Sequence, residues 1–303
     1  MKKVIITGSN GLLGQSLLKL LLKERTKYEV FGFSRGVNRS DREDFTYCDM
    51  DITKEVLLKD EIDKIQPDFI INTAAMTQVD ACETQKEACY LLNVTVVKWL
   101  TEICELRNIH LVQISTDFIF DGKKGHYKET DTPNPISYYG RSKLNAEAVI
   151  KTSAVQSTIL RTSLVYGKVP HMTRSNIVLW VKKMLEEKNE VTIVSDQFRA
   201  PTYVIDLALA CKISIDSEVA GVFNICSNKI LSIYEIAQQV AQVFELDENL
   251  IKPISTAVLN QTAFRPPKTG FDLTKTNNEL QFYPKSFKED LLKFKETFSE
   301  NYI

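Results

Sequence analysis

Short apolar runs alternate along the first half of the chain with longer stretches in which apolar residues recur every three or four positions. The apolar runs are nearly continuous, as is typical of parallel strands buried on both faces. They read KKVIIT, YEVFGF, FTYCD, DFIINTA, HLVQIS and TILRTSLVY. The periodic stretches predict helices at residues 12–24, 54–65, 86–107 and 139–151. Strands joined by helices form right-handed crossovers, so the pattern predicts an α/β fold with a doubly wound parallel sheet.

The pattern changes beyond Gly167, where turn-rich links separate helical stretches. These stretches cover residues 176–187, 203–213, 232–244 and 287–300. We therefore predict two regions: a main sheet domain over residues 1–166 and a smaller, mainly substrate-binding region over residues 167–303. The apolar run GVFNIC at residues 221–226 has the character of a strand. Segments around 191–225 are accordingly expected to return to the main sheet.

Composition and charge narrow the classes of function. The 38 basic and 39 acidic residues leave a net charge of −1, which gives no general attraction to nucleic acid or to an anionic membrane. The 6 cysteines form no Cys-x-x-Cys pair, as expected of free thiols in a reducing compartment. The 3 histidines have no metal-ligand spacing, so no metal site is predicted. Without a signal peptide or an apolar run of about 18 residues, we expect a cytoplasmic protein.

A glycine-rich turn follows the first predicted strand. The segment TGSNGLLG places Gly8, Gly11 and Gly14 between that strand and an amphipathic helix. Glycines let the backbone approach a pyrophosphate, and the helix N-terminus presents free N–H groups to it. The alternative is a plain turn with close helix packing. We predict a Rossmann-type dinucleotide site that also uses Asn10 and Leu12.

The end of the second predicted strand indicates which dinucleotide binds. An NAD site usually carries an acidic residue about twenty residues beyond the last glycine, whereas this chain has Ser34 and Arg35. An arginine fits a 2′-phosphate as a bidentate partner, so we predict NADPH, with NADH as the alternative cofactor. The alternative for Arg35 is simple projection into solvent. The next two strand ends add four predicted cofactor contacts: Asp51, Ile52, Ala74 and Ala75.

The segment SYYGRSK at residues 137–143 carries the candidate chemistry. Residues four apart share a helix face, so Tyr139 and Lys143 lie one above the other, while Tyr138 does not face the lysine. An ammonium near a phenol favours the phenolate and lowers its pKa. The alternative is an ordinary helix start with one aromatic residue turned inward. Ser115 and Thr116 end the fifth strand, where routine strand-end hydrogen bonding is the alternative to catalysis.

Together these motifs resemble the extended short-chain dehydrogenase/reductases and, more narrowly, the dTDP-4-dehydrorhamnose reductase family. The matching segments are NTAAMTQVDACE, STDFIFDG, YGRSKLNAE, LRTSLVYG, SDQFRAPTYVIDLA and RPPKTGFDLTKT. The resemblance implies NADPH-dependent reduction of the C4 ketone of a nucleotide-diphosphate 6-deoxy-sugar. Tyr139 would protonate the carbonyl oxygen, and Thr116 would hydrogen-bond it. Lys143 would bind the nicotinamide ribose and lower the pKa of the tyrosine.

The predicted substrate contacts extend beyond this triad. We predict Asp117 beside Thr116, and Asn176, Arg199 and Arg265 as donors to the diphosphate. Solvent exposure is the alternative for the last three. Two acids of the VDACE segment, Asp80 and Glu83, suit sugar hydroxyls or helix capping equally well.

Two departures from the family pattern affect the assignment. Leu164 stands where the rhamnose-pathway enzymes usually have a tryptophan against the sugar, so the exact hexose is open. Phe118 follows Thr116-Asp117 where a dehydratase needs an acid, which argues against dehydration. The alternatives are a nucleotide-sugar 4-epimerase with the same triad, or a non-catalytic regulatory subunit like the methionine adenosyltransferase β subunit. The resemblance also leaves a homodimer open.

Overall fold

A seven-stranded parallel sheet forms the centre of the protein. The computed structural model describes residues 1–259 and 261–299. The strands of this sheet are β1 (Lys2–Thr7), β2 (Tyr28–Ser34), β3 (Thr46–Asp49), β4 (Phe69–Asn72), β5 (His110–Thr116), β6 (Ser157–Thr162) and β11 (Gly221–Ile225). They lie in the order β11-β6-β5-β4-β1-β2-β3, with every neighbouring pair parallel. The predicted doubly wound sheet is confirmed.

The remaining strands form three short pairs. These are β7 (Val165–Tyr166) with β10 (Thr202–Tyr203), β9 (Phe198–Arg199) with β12 (Leu231–Ser232), and β8 (Val191–Val194) with β13 (Ile251–Ile254). The described helices are α1 (Leu12–Leu21), α2 (Glu55–Ile65), α3 (Val79–Thr84), α4 (Lys86–Tyr90), α5 (Val96–Arg107), α6 (Tyr138–Lys151), α7 (Ile177–Glu186), α8 (Val204–Asp216), α9 (Ile233–Phe244), α10 (Thr274–Glu279) and α11 (Phe287–Ser299).

Helices cover both faces of the sheet, which explains why the strands read as continuous apolar runs. Successive side chains of a strand point to opposite faces. In β1, Val4 and Ile6 pack beneath α1 and α8, whereas Ile5 packs against α2 and α5. All three side chains are fully buried. Each face of the sheet therefore has its own hydrophobic core.

The strand order creates a crevice next to β1. The chain runs from β1 to β2 on one side and places β4 on the other, so the connecting helices lie on opposite faces. In open α/β sheets, ligands bind at such a switch point, outside the carboxyl ends of the strands. The ends of β1, β4 and β5 meet at this edge.

A third core lies among the helices of the C-terminal half. Helices α7, α9 and α11 pack around Tyr166, Tyr203 and Phe294, whose rings contact one another edge-on or stacked. Strand β11 joins the main sheet beside β6, so part of the second half does return to that sheet. The division of the chain at residue 166 stays a prediction.

Two predicted elements need correction, and the end of a third is not described. The run TILRTSLVY is two strands, because Leu164 takes a left-handed backbone (φ 39°) that ends the extended run. Residues 86–107 form a helix interrupted by a π-helical turn at Leu91–Thr95. Such turns are frequent at functional sites. The last predicted helix is present from Phe287, but its predicted end at Glu300 lies outside the described residues.

Candidate active site

One cavity of about 720 Å³ opens at the carboxyl ends of β1, β4 and β5. Most of the predicted site residues line it: Asn10, Gly11, Leu12, Ala74, Ala75, Thr116, Asp117, Tyr139, Lys143, Asn176, Arg199 and Arg265. Five predicted cofactor residues lie outside its wall: Gly8, Gly14, Arg35, Asp51 and Ile52. The fold thus brings the candidate chemistry and the candidate anion contacts to one place.

The glycine turn forms a close-fitting cradle at the start of α1. A Cβ atom on Gly14 would lie 2.3 Å from the carbonyl oxygen of Gly8, so only glycine allows the helix to start this close to β1. Gly11 is the N-cap and contributes no side-chain cap, and the first turn of α1 carries no acidic residue. The free N–H groups at this end therefore suit a pyrophosphate.

The side chain of Asn10 holds the loop that follows β2. Its amide nitrogen donates to the carbonyl of Val37 (2.9 Å) and to the Tyr47 hydroxyl (3.0 Å). Its oxygen accepts from the Arg39 backbone nitrogen (2.9 Å). Arg35 is exposed on this loop. Asn10 therefore positions the segment on which the predicted 2′-phosphate contact depends.

Two predicted adenine contacts have structural partners. One carboxylate oxygen of Asp51 accepts hydrogen bonds from the backbone and the hydroxyl of Thr53. Ile52 is buried in the core between the sheet and α2. Their roles at the cofactor, like that of Arg35, stay predictions.

Helix α6 carries Tyr139 and Lys143 into the cavity. Ser137 caps the helix by accepting from the Gly140 backbone nitrogen. A Cβ on Gly140 would lie 2.1 Å from the Phe118 carbonyl oxygen, so this glycine lets α6 pack directly on the turn after β5. Tyr139 is buried there, with its ring edge-on to Phe118. Tyr138 instead lies half-buried at the surface.

The predicted lowering of the Tyr139 pKa is wrong. Burial raises the pKa of Tyr139, and although a hydrogen bond with Thr116 acts in the opposite direction, the charge of Asp117 adds to the rise. The Lys143 ammonium is directed elsewhere, since its Nζ donates to the Ile114 carbonyl at 2.7 Å. Burial lowers the pKa of Lys143 to about 8. Tyr139 thus holds its proton at neutral pH.

A hydrogen-bond network orients Thr116. Its hydroxyl donates to one oxygen of the Asp117 carboxylate (3.1 Å). The other oxygen accepts from Ser163 (2.8 Å) and from the Thr269 hydroxyl. Asp117 is therefore fixed from three separate segments of the chain, and it holds the Thr116 side chain at the cavity wall.

Three arginines line the same cavity. Arg199 lies in β9 and is only 3% exposed, with its guanidinium over the ring of Phe118. Burial lowers its pKa, which the charge of Asp117 opposes. Among the residues the structure describes, no carboxylate forms an ion pair with Arg199. Arg265 is paired with Asp80 (2.6 Å), and Arg174 is exposed. Sequence reasoning missed Arg174 because no motif surrounds it.

Asn176 and Glu83 serve as helix caps. The Asn176 oxygen accepts from the Leu179 backbone nitrogen (3.2 Å), while its amide donates to the Gly167 carbonyl (2.8 Å). Both ends of this amide are engaged, so the capping role accounts for the residue without a diphosphate contact. Glu83 accepts from the Tyr138 backbone nitrogen (2.6 Å) at the start of α6. Of the two roles considered for Glu83, the structure favours capping.

A fully buried ion pair supports the strand ends behind the site. Arg161 contacts both carboxylate oxygens of Glu147, at 2.9 and 2.7 Å. Ser115 donates to the same carboxylate (2.6 Å), which ties α6 to β5 and β6. Although burial opposes ionisation, the hydrogen bonds and charge of Arg161 hold the pKa of Glu147 at about 2. No local spacing in the sequence indicates this long-range pair.

Comparison with known proteins gives the family. The chain belongs to the family described as RmlD substrate binding domain, whose model matches residues 1–300. A dTDP-4-dehydrorhamnose reductase from Aggregatibacter actinomycetemcomitans is 33% identical over 303 positions, which cover 96% of this chain and 97% of that protein. The predicted resemblance to dTDP-4-dehydrorhamnose reductases is confirmed.

Two further similar proteins have different functions in their names, one a reductase and the other a subunit of a methionine adenosyltransferase. The crystal structure of dTDP-4-dehydrorhamnose reductase from Bacillus anthracis in complex with NADP has a TM-score of 0.87 and 29% identity, covering 98% of this chain and 99% of that one. Methionine adenosyltransferase 2 subunit beta from Danio rerio is 29% identical over 90% of this chain and 84% of that protein. Within residues 1–259 and 261–299, no helix is long and apolar enough to span a membrane.

Proposed function

We propose that this protein uses NADPH to reduce the C4 ketone of a nucleotide-diphosphate 6-deoxy-sugar. The specific reaction that we propose is the conversion of dTDP-4-dehydrorhamnose to dTDP-L-rhamnose. One observation carries the proposal. Tyr139 and Thr116 share their cavity with Arg199, a buried cation that no described carboxylate pairs. A proton donor and an anion contact in one cavity suit a substrate that carries both a ketone and a diphosphate. The reductase relatives support the same reaction.

The residues at the crevice fit NADPH. The glycine cradle and the free N–H groups of α1 would hold the pyrophosphate, and Ala74 and Ala75 leave room for the cofactor beside β4. Lys143 would contact the nicotinamide ribose. NADPH supplies a hydride to the ketone carbon when it is bound. The NADP complex of the Bacillus anthracis relative supports this choice of cofactor.

The protein's own residues then handle the charge that develops on the ketone oxygen. Tyr139 keeps its proton at neutral pH and donates it to that oxygen, where Thr116 becomes a second donor when its hydroxyl turns from Asp117 towards the substrate. Donors fixed before the reaction stabilise the developing alkoxide without reorganisation. The positive charge of Lys143 acts in the same direction. Tyr139 is therefore the acid, and Thr116 and Lys143 assist it.

The diphosphate is assigned to Arg199 and its neighbours. Arg199 donates to the Phe198 carbonyl (2.7 Å) but has no described carboxylate partner. A buried charge without a counter-ion is costly, and an anionic ligand removes much of that cost. Arg265 and Arg174 add cations on the same wall. All three arginines come from the second half of the chain, which agrees with a substrate-binding role for that half.

Direct assay tests the function. Incubation of the purified protein with dTDP-4-dehydrorhamnose and NADPH is expected to oxidise one NADPH for each sugar reduced, as followed by reduced-nicotinamide absorbance and by mass spectrometry of the product. NADH in place of NADPH is expected to give slower turnover. Bound substrate without NADPH oxidation contradicts the reductase assignment. Interconversion of sugars without net NADPH oxidation would instead identify a 4-epimerase.

Replacement of Arg199 tests the diphosphate contact. In Arg199→Ala, we expect KM for the nucleotide-sugar to rise by about tenfold or more, because a charge-assisted contact with a phosphate is lost. Binding of NADPH, followed by its fluorescence, should stay unchanged. Arg141→Ala is the matched control, since Arg141 is exposed and lies outside the cavity wall. An unchanged KM in Arg199→Ala would place the diphosphate elsewhere.

The relatives named methionine adenosyltransferase 2 subunit beta support a second candidate, a nucleotide-binding regulatory subunit. Tight NADPH binding with no reduction of any 4-keto sugar would favour it. The presence of Tyr139, Lys143 and Thr116 around one cavity favours the enzyme. A cytoplasmic location, a homodimer and the absence of a nucleic-acid partner stay predictions.

A further inference from the structure

Two cysteines lie directly behind the proposed catalytic acid and have no role in the proposed reaction. Cys82 in α3 and Cys89 in α4 are both fully buried and pack with Tyr139 in one small cluster. Cys104, Cys211 and Cys226 belong to three other cores. Among the six cysteines, only Cys82 and Cys89 therefore share a cluster with each other and with Tyr139.

Hydrogen bonds join the two thiols through one polar group. Cys82 Sγ donates to the Met76 carbonyl (3.5 Å). The amide of Asn93, within the π-helical turn, donates to that same carbonyl (3.0 Å) and to Cys89 Sγ (3.4 Å). The sulfur atoms are thus neighbours held by common partners.

The surroundings activate one thiol of the pair. The neighbouring Cys82 lowers the pKa of Cys89 against the effect of burial, and Ser142, the charge of Lys143 and the Asn93 amide that donates to this sulfur act in the same direction. The neighbouring Cys89 and burial raise the pKa of Cys82, whose sulfur donates to a carbonyl. Since the thiolate is the reactive form, Cys89 is the nucleophile and Cys82 is the resolving thiol.

We propose that Cys82 and Cys89 form a dithiol modification site, at which a peroxide produces an intramolecular disulfide that reversibly blocks catalysis. The Cys89 thiolate attacks one peroxide oxygen, the O–O bond breaks, and the departing hydroxide takes a proton to give water. The resulting sulfenic acid is attacked by Cys82 sulfur, the S–O bond breaks, and the sulfenic oxygen leaves as a second water with the Cys82 proton. Two electrons pass from the thiols to the peroxide.

The cavity provides access and explains the effect on activity. Val79, Phe118 and Tyr139 belong both to the thiol cluster and to the cavity wall, so these side chains lie between the thiols and a cavity that a water-sized peroxide can enter. Cys89 Sγ contacts the Ser142 hydroxyl (3.5 Å), which donates to the Tyr139 carbonyl (2.8 Å). An S–S bond of about 2.05 Å draws Cys89 towards Cys82 and away from Ser142. The Ser142 hydroxyl, which donates to the Tyr139 carbonyl, then loses one of the two contacts that orient it and keeps the one from Asn93.

Peptide mapping of the intact protein tests the bond itself. Trypsin separates the two cysteines, because residues 65–86 contain only Cys82 and residues 87–98 contain only Cys89. After hydrogen peroxide treatment and alkylation, we expect these two peptides to be linked, with a mass two hydrogens below their sum. Dithiothreitol should release them. Absence of the linked pair overturns the proposal, and this readout does not depend on any enzymatic activity.

Reductase assays test the consequence, which rests on the proposed function. Peroxide should lower kcat of the wild type by tenfold to about a hundredfold, a loss of the size that a misplaced acid causes, and dithiothreitol should restore it. Cys82→Ser and Cys89→Ser should resist, whereas Cys104→Ser should respond like the wild type. If the Cys82–Cys89 disulfide forms and kcat is unchanged, the proposal that it blocks catalysis is overturned. If the protein has no reductase activity even before oxidation, the proposed function is refuted, whereas the proposed disulfide is still tested by peptide mapping.

Discussion

At the scale of single residues, the environment of Tyr139 decides which form of the phenol is available. A phenol near a lysine is expected to ionise more easily, yet Lys143 donates to the Ile114 carbonyl and burial dominates at the ring. The proton therefore stays on Tyr139, which suits a reaction that needs an acid in its reductive direction. Spacing identifies the residue, whereas only the packing determines its protonation.

Tyr139→Phe tests this role. We expect kcat to fall by about a hundredfold to ten-thousandfold, because general acid catalysis contributes that much. The dissociation constant for NADPH, from fluorescence titration, should change little, since the ring and its contact with Phe118 are retained. Tyr138→Phe is the matched control, being the adjacent tyrosine on a different helix face, and it should keep near-normal kcat. Equal effects of the two substitutions would contradict the assignment.

At the scale of elements, α6 is placed by a contact that sequence spacing does not reveal. Gly140 lies in the first turn of the helix, where propensity alone favours alanine. Its packing against the Phe118 carbonyl leaves no room for a methyl group. The position of the catalytic helix relative to Thr116 thus depends on one hydrogen atom in place of a side chain.

Gly140→Ala separates propensity from packing. Propensity predicts stabilisation by about 1 kcal/mol, whereas the close contact predicts a loss of about 1–3 kcal/mol and a lower kcat. Chemical denaturation measures the free energy of unfolding. Asn145→Ala, at an exposed position of the same helix, should be neutral or slightly stabilising. A stabilised Gly140→Ala protein with full activity would show that the turn after β5 can move away.

The elements also differ in how well the sequence predicts them. Continuous apolar runs identify the sheet strands because parallel strands are buried on both faces. The glycine turn and Tyr139 can be identified because each belongs to a motif with a fixed local spacing. The break at Leu164 is not visible, since it depends on a left-handed residue between two apolar segments. The Glu147–Arg161 and Cys82–Cys89 pairs are equally hidden, because their partners meet only when helices pack on the sheet or on one another.

At the scale of the whole molecule, one half-buried and one buried acid lie where α8, which packs on the main sheet, approaches the last described helix. Asp206 in α8 lies close to Asp290 in α11, which is 1% exposed. Burial, reinforced by the charge of Asp290, raises the pKa of Asp206 to about 7. Lys293 donates to Asp290 (3.1 Å) and offsets part of the negative charge. The contact between α8 and α11 is therefore sensitive to pH.

Asp206→Asn tests the sign of this dependence. The folded protein binds a proton at Asp206 that the unfolded chain releases near pH 4, so the free energy of unfolding falls as pH rises from about 4 to 7. At pH 8 the variant should therefore melt about 2–4 °C higher than the wild type, which corresponds to roughly 1 kcal/mol. Near pH 4 the two should agree. Calorimetry measures both values.

Asp60→Asn, at an exposed position, is the control. Its effect on Tm should be small and the same at pH 4 and pH 8. A gain in Asp206→Asn that is the same at pH 4 and pH 8 would contradict repulsion between the two acids. No gain at pH 8 would mean that Lys293 compensates the pair completely.

The place of β11 at the edge of the sheet has a consequence for biosynthesis. The first six sheet strands leave the ribosome in order, but the strand that covers β6 follows about 60 residues later, at Gly221–Ile225. Until then, the nascent chain presents the unpaired backbone of β6, to which other polypeptides can add. Chaperone protection during translation would matter most in this interval.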